Sequence, residues 1–439
     1  MNNEKFIGNL AGRHVAVAIG LLTCFALPGQ AAELTGNFSA GVGWSDNIAR
    51  TRGNELDESM GLVGAQINYI EDSPTFYADA QINANFLSYF DDTFGSELLG
   101  GANITGEYFF SPEVFSWILD YNYGQQVFNP LQPARPGNRE DVSFLTTGPR
   151  LTIPMSSRWF AGVDLTYSNV TYERRPNNNN RGAAAVRFGR DISQTRNITI
   201  NGTTEQVKYE SAAAQNDFER NEVFMRFETA STRNQLSLDV GYSELQFEGS
   251  DIKGDGAVVR LDWTRSISQY TSFVAGGGRR FSDQGDVFRS AQRFNTDITE
   301  TEDVLGVASP FRSDFANARY SIANPRFGVD VFVTWSDENY IDNPLLDRGL
   351  IRGGFAFNRN ITRKITGGIG FNHTVRDFDG FDREDKDTRY TLNIGYQFSP
   401  AFNTVVDFQY FERSSDDDDN DINESRIFIT VNYIPKWGR

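Results

Sequence analysis

The chain has 439 residues, 13% of them aromatic, and a formal net charge of −17. That sign disfavours nucleic acid as a partner, because phosphate recognition needs a basic surface. A mean hydropathy of −0.46 argues against helical membrane spans, and beyond the N-terminus no apolar run approaches the roughly 18 residues that such a span needs. No shift in composition marks a linker, so one large architecture is the simpler reading.

The first 32 residues read as an export signal. Lys5 and Arg13 precede the apolar run His14–Leu27, and Gly29-Gln30-Ala31 offers small residues where a signal peptidase inspects, so cleavage is expected after Ala31 or Ala32. The single cysteine, Cys24, falls inside this segment, and Leu22-Thr23 lacks the small residue of a lipoprotein site. A mature chain without cysteine suits an oxidising periplasm.

From residue 33 onward the sequence alternates. Leu34–Trp44 puts Leu34, Phe38, Ala40, Val42 and Trp44 on one parity, and Gly61–Tyr69 puts Val63, Ala65, Ile67 and Tyr69 there. Thr75–Tyr89 is the clearest case: Phe76, Ala78, Ala80, Ile82, Ala84 and Phe86 oppose Tyr77, Asp79, Gln81, Asn83 and Asn85. A period of two is a strand, and an Ala/Phe side backed by amides and Asp suits a wall between lipid and water. Leu98–Phe110, Phe115–Tyr123, Trp159–Tyr167, Leu236–Tyr242 and Ala257–Trp263 follow. Phe327–Trp335, Ile365–Phe371, Tyr390–Phe398, Thr404–Tyr410 and Ile427–Tyr433 continue the series. Less regular segments are Leu145–Ile153, Ala184–Ile192, Ile198–Val207, Val223–Thr229, Phe273–Phe281, Ala316–Ile322 and Ile351–Phe357, which brings the total to 20.

Tight connectors such as Ser111-Pro112-Glu113 and Ser399-Pro400-Ala401 take turns with long polar ones such as Ser45–Ser59, Gln126–Asp141 and Asp283–Ser313. Aromatics at strand ends, including Trp44, Phe110, Tyr123, Trp159, Tyr167, Trp263, Trp335 and Tyr433, can form two interfacial girdles. Open sheet edges cannot be left in hydrocarbon, so the sheet must close. The expected fold is therefore all-β: a transmembrane antiparallel up-and-down β-barrel over 33–439, of about 18–20 strands, with short periplasmic turns, long extracellular loops and an outer-membrane location.

Gly41-Val42-Gly43-Trp44-Ser45-Asp46-Asn47-Ile48, Ser309-Pro310-Phe311-Arg312 and the closing hairpins with their acidic loops resemble the β-barrel porins encoded with exopolysaccharide and exosortase (PEP-CTERM) systems of Gram-negative bacteria. The resemblance covers most of the mature chain. It implies a part in passing or anchoring secreted polysaccharide, and it brings no catalytic residues.

If the apolar parity meets lipid, the opposite parity lines a lumen. Its acidic members are Asp79, Glu107, Asp120, Asp164, Glu205, Asp239, Asp262, Asp330 and Asp407; its basic ones are Arg150, Arg187, Arg226, Arg260, Arg280, Arg352 and Arg389. They can act in permeation, in a cross-strand salt-bridge lattice, or in both. Asp283–Ser313, the longest connector, can fold inward as a constriction carrying Arg289, Arg293, Arg312, Glu300, Glu302 and Asp303, or can stay outside as a loop. Strand one follows the signal directly, leaving no room for a separate plug. Asp416–Asp419 with Asp421 form an acidic tip without the Gly and closing Glu of a calcium loop, and read as solvated. The one mature histidine, His373, has Thr374 rather than a nucleophilic Ser beside it, so it reads as a rim residue and not as part of a lipase site.

The expectation is a passive conduit for exopolysaccharide or another polar solute. The alternative is a closed barrel anchoring an envelope assembly through its outer loops. No cofactor or metal is called for. The expected partners are outer-membrane lipid, lipopolysaccharide, polysaccharide and periplasmic export components.

Overall fold

The computed structural model describes residues 32–211, 217–292 and 309–436. Twenty strands make one sheet. They are β1 (Glu33–Ser45), β2 (Glu58–Asp72), β3 (Phe76–Tyr89), β4 (Glu97–Ser111), β5 (Phe115–Val127), β6 (Arg139–Pro154) and β7 (Trp159–Tyr172). Next come β8 (Asn179–Ser193), β9 (Arg196–Tyr209), β10 (Phe218–Ser231), β11 (Asn234–Phe247), β12 (Lys253–Ser268), β13 (Thr271–Ser282) and β14 (Phe311–Asn324). The last are β15 (Phe327–Tyr340), β16 (Arg348–Asn360), β17 (Ile365–Phe378), β18 (Arg383–Ser399), β19 (Phe402–Ser415) and β20 (Ile422–Tyr433). Each strand pairs antiparallel with the next, and β20 returns to β1 with Ile429 opposite Val42 and Tyr433 opposite Phe38. The barrel is closed, so no edge is left with unpaired backbone groups.

Side-chain parity is continuous around the cylinder. Val63 faces Phe86, Val186 faces Gly202, Met225 faces Val240, Val333 faces Gly353 and Ile394 faces Val406, all on one face. That face is apolar and over most of the barrel open: Val42, Val63, Val186, Ile200, Val223 and Ile394 are each more than half exposed, whereas on β2 and β3 Tyr69, Phe76, Ala78, Ala80 and Ile82 of the same face are buried. A shell of Val, Ile, Phe and Tyr presented outward by every strand is stable only against lipid, and strands of 12 to 17 residues exceed the roughly 10 that a tilted strand needs to cross. Trp44, Phe110, Trp159, Tyr167, Trp335 and Tyr433 are exposed near the strand ends, as a girdle requires. Tyr123 departs from this pattern, because it is buried with Ala102, Ile104 and Tyr121. Among the described residues no helix is long and apolar enough to cross a membrane.

The strands run further than the alternation indicates. At one end the connectors are turns of two to four residues; at the other, 379–382 and 416–421 are all that remain of two connectors expected to be long, while 46–57, 128–138 and 283–310 are long in sequence. The glycine run on β13 permits close strand approach: Gly278 adopts φ 151°, and a Cβ there would sit 1.8 Å from the Val259 carbonyl oxygen.

Candidate functional site: the barrel interior

The inner face carries the chemistry. By register, all sixteen charges assigned from parity lie on the face opposite the apolar shell. Most belong to cross-strand ladders. Asp239 on β11 accepts both Arg226 nitrogens from β10, at 2.6 and 2.9 Å, and Arg260 Nε from β12 at 2.9 Å; Arg260 then reaches Glu222 at 2.7 Å. Arg150 lies 3.2 Å from Glu107 and 3.7 Å from Asp164, and Asp164 takes Arg187 at 2.6 Å. Asp330 lies 3.4 Å from Arg319 and accepts Ser321 Oγ. Opposite charges on neighbouring strands cancel locally, so the wall is charged without a strong net field.

Aromatic rings sit beneath these guanidinium groups. Arg226 and Arg260 lie 5.3 and 4.8 Å from the Phe224 ring, Arg319 and Arg352 lie 5.5 and 5.7 Å from Phe332, and Arg50 and Arg389 lie 4.1 and 5.4 Å from Phe411. Arg280 covers Phe315 at 4.8 Å. Each ring fixes the position of the cation above it.

The described parts of three long loops turn into the upper lumen. Residues 284–292 form the helix α1 (Gln284–Gln292), which leaves β13 and packs on the inner face of β6 and β7. Its Phe288 is fully buried among the inner residues Val142, Phe144, Val170 and Tyr172 of β6 and β7. Asp283 caps the helix, accepting Gly285 N at 2.7 Å and Asp286 N at 3.2 Å, and holds Arg181 of β8 in a two-bond pair at 2.8 and 2.9 Å. Asp286 binds Arg220 of β10 at 2.9 Å, and Glu205 of β9 pairs with the same guanidinium. Burial pushes the Asp286 carboxyl up, but Arg220, Arg289 and Arg181 outweigh it and hold the group well below the usual carboxylate range.

Two more loops join. Val287 of α1 packs with Leu131 of the 128–138 loop against Phe311, Tyr340 and Phe378. Arg383 of β18 donates to Leu131 O at 2.9 Å, so that loop also spans the lumen. Arg50 of the 46–57 loop donates to Ala134 O at 2.6 Å and pairs with Glu424 at 2.8 Å, while Ile48 enters a core with Met60, Leu62, Leu87, Tyr89 and Leu99. Burial lowers the Arg50 guanidinium even with Glu424 beside it.

The candidate constriction residues divide. Arg289 lies 3.5 Å from Asp286 and 5.0 Å from the Phe144 ring, inside the barrel. Arg312 is not in a loop: β14 begins at Phe311, and Arg312 sits on that strand 3.8 Å from Asp314. Arg293, Glu300, Glu302 and Asp303 lie outside the described residues. His373 is on the outer face beside Phe371, and its Nδ1 is 3.0 Å from Thr388 Oγ1. Asp417 of the acidic tip bonds its own loop, at Asp419 N and Asn420 Nδ2.

Sequence reading missed the tying residues. Arg181, Arg220, Arg348, Arg383 and Arg426 all stand near the start of a strand at the long-loop end of the barrel, on the inner parity, and all meet buried or half-buried carboxylates. Extending the parity to the strand tips would have found them.

No family model and no curated protein matches the chain. Solved barrels do resemble it. The siderophore receptor PirA from Acinetobacter baumannii aligns with TM-score 0.47 at 8% identity, over 92% of this chain and 80% of that one. The FrpB iron transporter from Neisseria meningitidis aligns with 0.43 at 8%, over 92% and 81%. OccAB4 from Acinetobacter baumannii aligns with 0.35 at 9%, over 93% and 100%. This is a likeness of barrel to barrel, and it says nothing of cargo.

Proposed function

We propose that the protein is an outer-membrane conduit for polar solutes whose lumen is stoppered, toward the long-loop end, by its own loops. One observation carries this reading: an inner wall of paired Arg, Asp and Glu runs below an inward helix anchored by Arg181–Asp283 and Arg220–Asp286. A wall of that kind offers hydrogen bonds to a hydroxyl-rich solute, and the arginine-covered Phe224, Phe332 and Phe411 rings add flat surface. The finer reading, passage of exopolysaccharide, draws its support from the resemblance of Gly41–Ile48 and the acidic closing hairpins to the exosortase-associated porins.

A second reading, a non-conducting anchor, is favoured by the apolar packing of three loops in the upper lumen. Planar-bilayer recording separates the two. The conduit shows discrete ohmic steps that enlarge when α1 is released. The anchor stays electrically silent in both forms.

A further inference from the structure

The short-turn mouth of the barrel is electrostatically divided. On one side, Asp191, Glu228 and Asp262, with the single cation Arg196, line a recess of about 430 Å³ together with Asn197, Ser237 and Thr264. On another, Arg326, Arg363 and Lys364 line a recess of about 710 Å³ with Thr366, Gln397 and Asn403. Thr366 pairs with Gly395 and Asn403 with Gln397 on the inner face, so the basic recess opens into the lumen.

The basic recess differs from the ion-pair ladders of the inner wall. Arg226, Arg260, Arg150 and Arg187 each have a carboxylate in reach. Among the described residues Arg326, Arg363 and Lys364 have none. Their backbone is nevertheless fixed. Asn360 donates its N–H to Arg326 O at 3.0 Å and its side-chain amide to Pro325 O at 2.8 Å, which locks the β14–β15 turn to the β16–β17 turn. Gln397 N bonds Lys364 O at 2.8 Å and ties β18 to the same corner. Three exposed cations carried on this fixed backbone line one polar cavity, in a chain of net charge −17, and form a site for anions.

We propose that this corner is the entry site for an acidic glycan, whose sugar carboxylates are taken by Arg326, Arg363 and Lys364 while Thr366, Gln397 and Asn403 meet its hydroxyls. The proposal rests on the conduit reading and names its solute class. The recess of Asp191, Glu228 and Asp262, net acidic even with Arg196, is the less favourable side for the same chain.

The test is binding by the detergent-purified full chain, which does not depend on conduction. Oligogalacturonate is titrated against a neutral maltooligosaccharide and against short-chain phosphatidylglycerol. Oligogalacturonate is expected to bind at least tenfold more tightly than the neutral chain, and less tightly as salt rises. The Arg326→Gln/Arg363→Gln/Lys364→Gln variant should lose that preference, and Arg363→Gln alone should lose part of it should the triple variant fail to fold. Asp191→Asn/Glu228→Gln/Asp262→Asn should tighten binding. Equal binding of the two oligosaccharides, or an unchanged triple variant, overturns the proposal. So does phosphatidylglycerol displacing oligogalacturonate from the site, since lipid phosphate would then be the ligand. A silent bilayer recording with intact glycan preference would refute conduction alone.

Discussion

Asp283→Ala strikes the anchoring of α1 at its root. The substitution removes the helix cap made to Gly285 N and Asp286 N, a loss of about 1 kcal/mol. It also strips Arg181 of a partner in a pair whose side chains are only 2% and 1% exposed, and breaking such a pair costs about 3–5 kcal/mol. Asp286, 3.8 Å from Arg181, takes up part of the orphaned charge, so the lower end applies and the total is about 3–4 kcal/mol. At about 1.4 kcal/mol per factor of ten, the ratio of docked to undocked helix falls by roughly 10²–10³. Hydrogen exchange over 284–292 reads the docking, and single-channel recording reads its effect on the lumen. Exchange should accelerate by that factor and conductance should rise. Unchanged protection together with unchanged conductance would refute both the anchor and the claim that α1 obstructs the lumen.

Phe288→Ala empties the apolar slot between β6 and β7 without changing charge; at about 3–5 kcal/mol for a buried Phe it should produce the same opening in the same recordings. The low Asp286 carboxyl contributes its stabilisation above the unfolded carboxylate value and loses it as pH falls through the folded one. Protection of 284–292 should therefore hold from pH 8 to about pH 4 and fail only below that; loss between pH 7 and 5 would contradict the pairing. Asp239→Asn leaves Arg226 and Arg260 facing each other, so reversal potentials should shift toward anion preference. Ile429→Arg puts a charge on the lipid face and should cost about 2–4 kcal/mol in unfolding from vesicles, whereas Thr430→Arg, one residue along on the inner face, should cost far less.

The cylinder was legible because alternation is a local signal. Val223, Met225 and Phe227 oppose Phe224, Arg226 and Glu228 without reference to any distant residue. Contrast fades where the outer side chains are small, as with Ala316 and Ala318, and β14 was harder to bound for that reason: it starts at Phe311, with Arg312 on the strand. Loop insertion left almost no local trace. Arg181 and Asp283 are 102 residues apart, and Arg383 meets Leu131 across 252. A hint lies in the apolar residues of the 283–310 connector, Val287-Phe288 first among them with Phe294, Ile298, Val304, Leu305 and Val307 further on, which have little use in water.

Site-directed fluorescence gives the most direct test of a wall with lipid on one side and water on the other. Cys24 is the one cysteine, so with Cys24→Ser single cysteines can be placed at Val240 and Ile429 on the outer face and at Asp239 and Thr430 on the inner. After reconstitution, a nitroxide carried on lipid acyl chains should quench dyes at the first two and spare the second two, with a water-soluble quencher giving the reverse. Equal quenching of neighbours 239 and 240, or a purified chain that stays dispersed without detergent, would contradict the account.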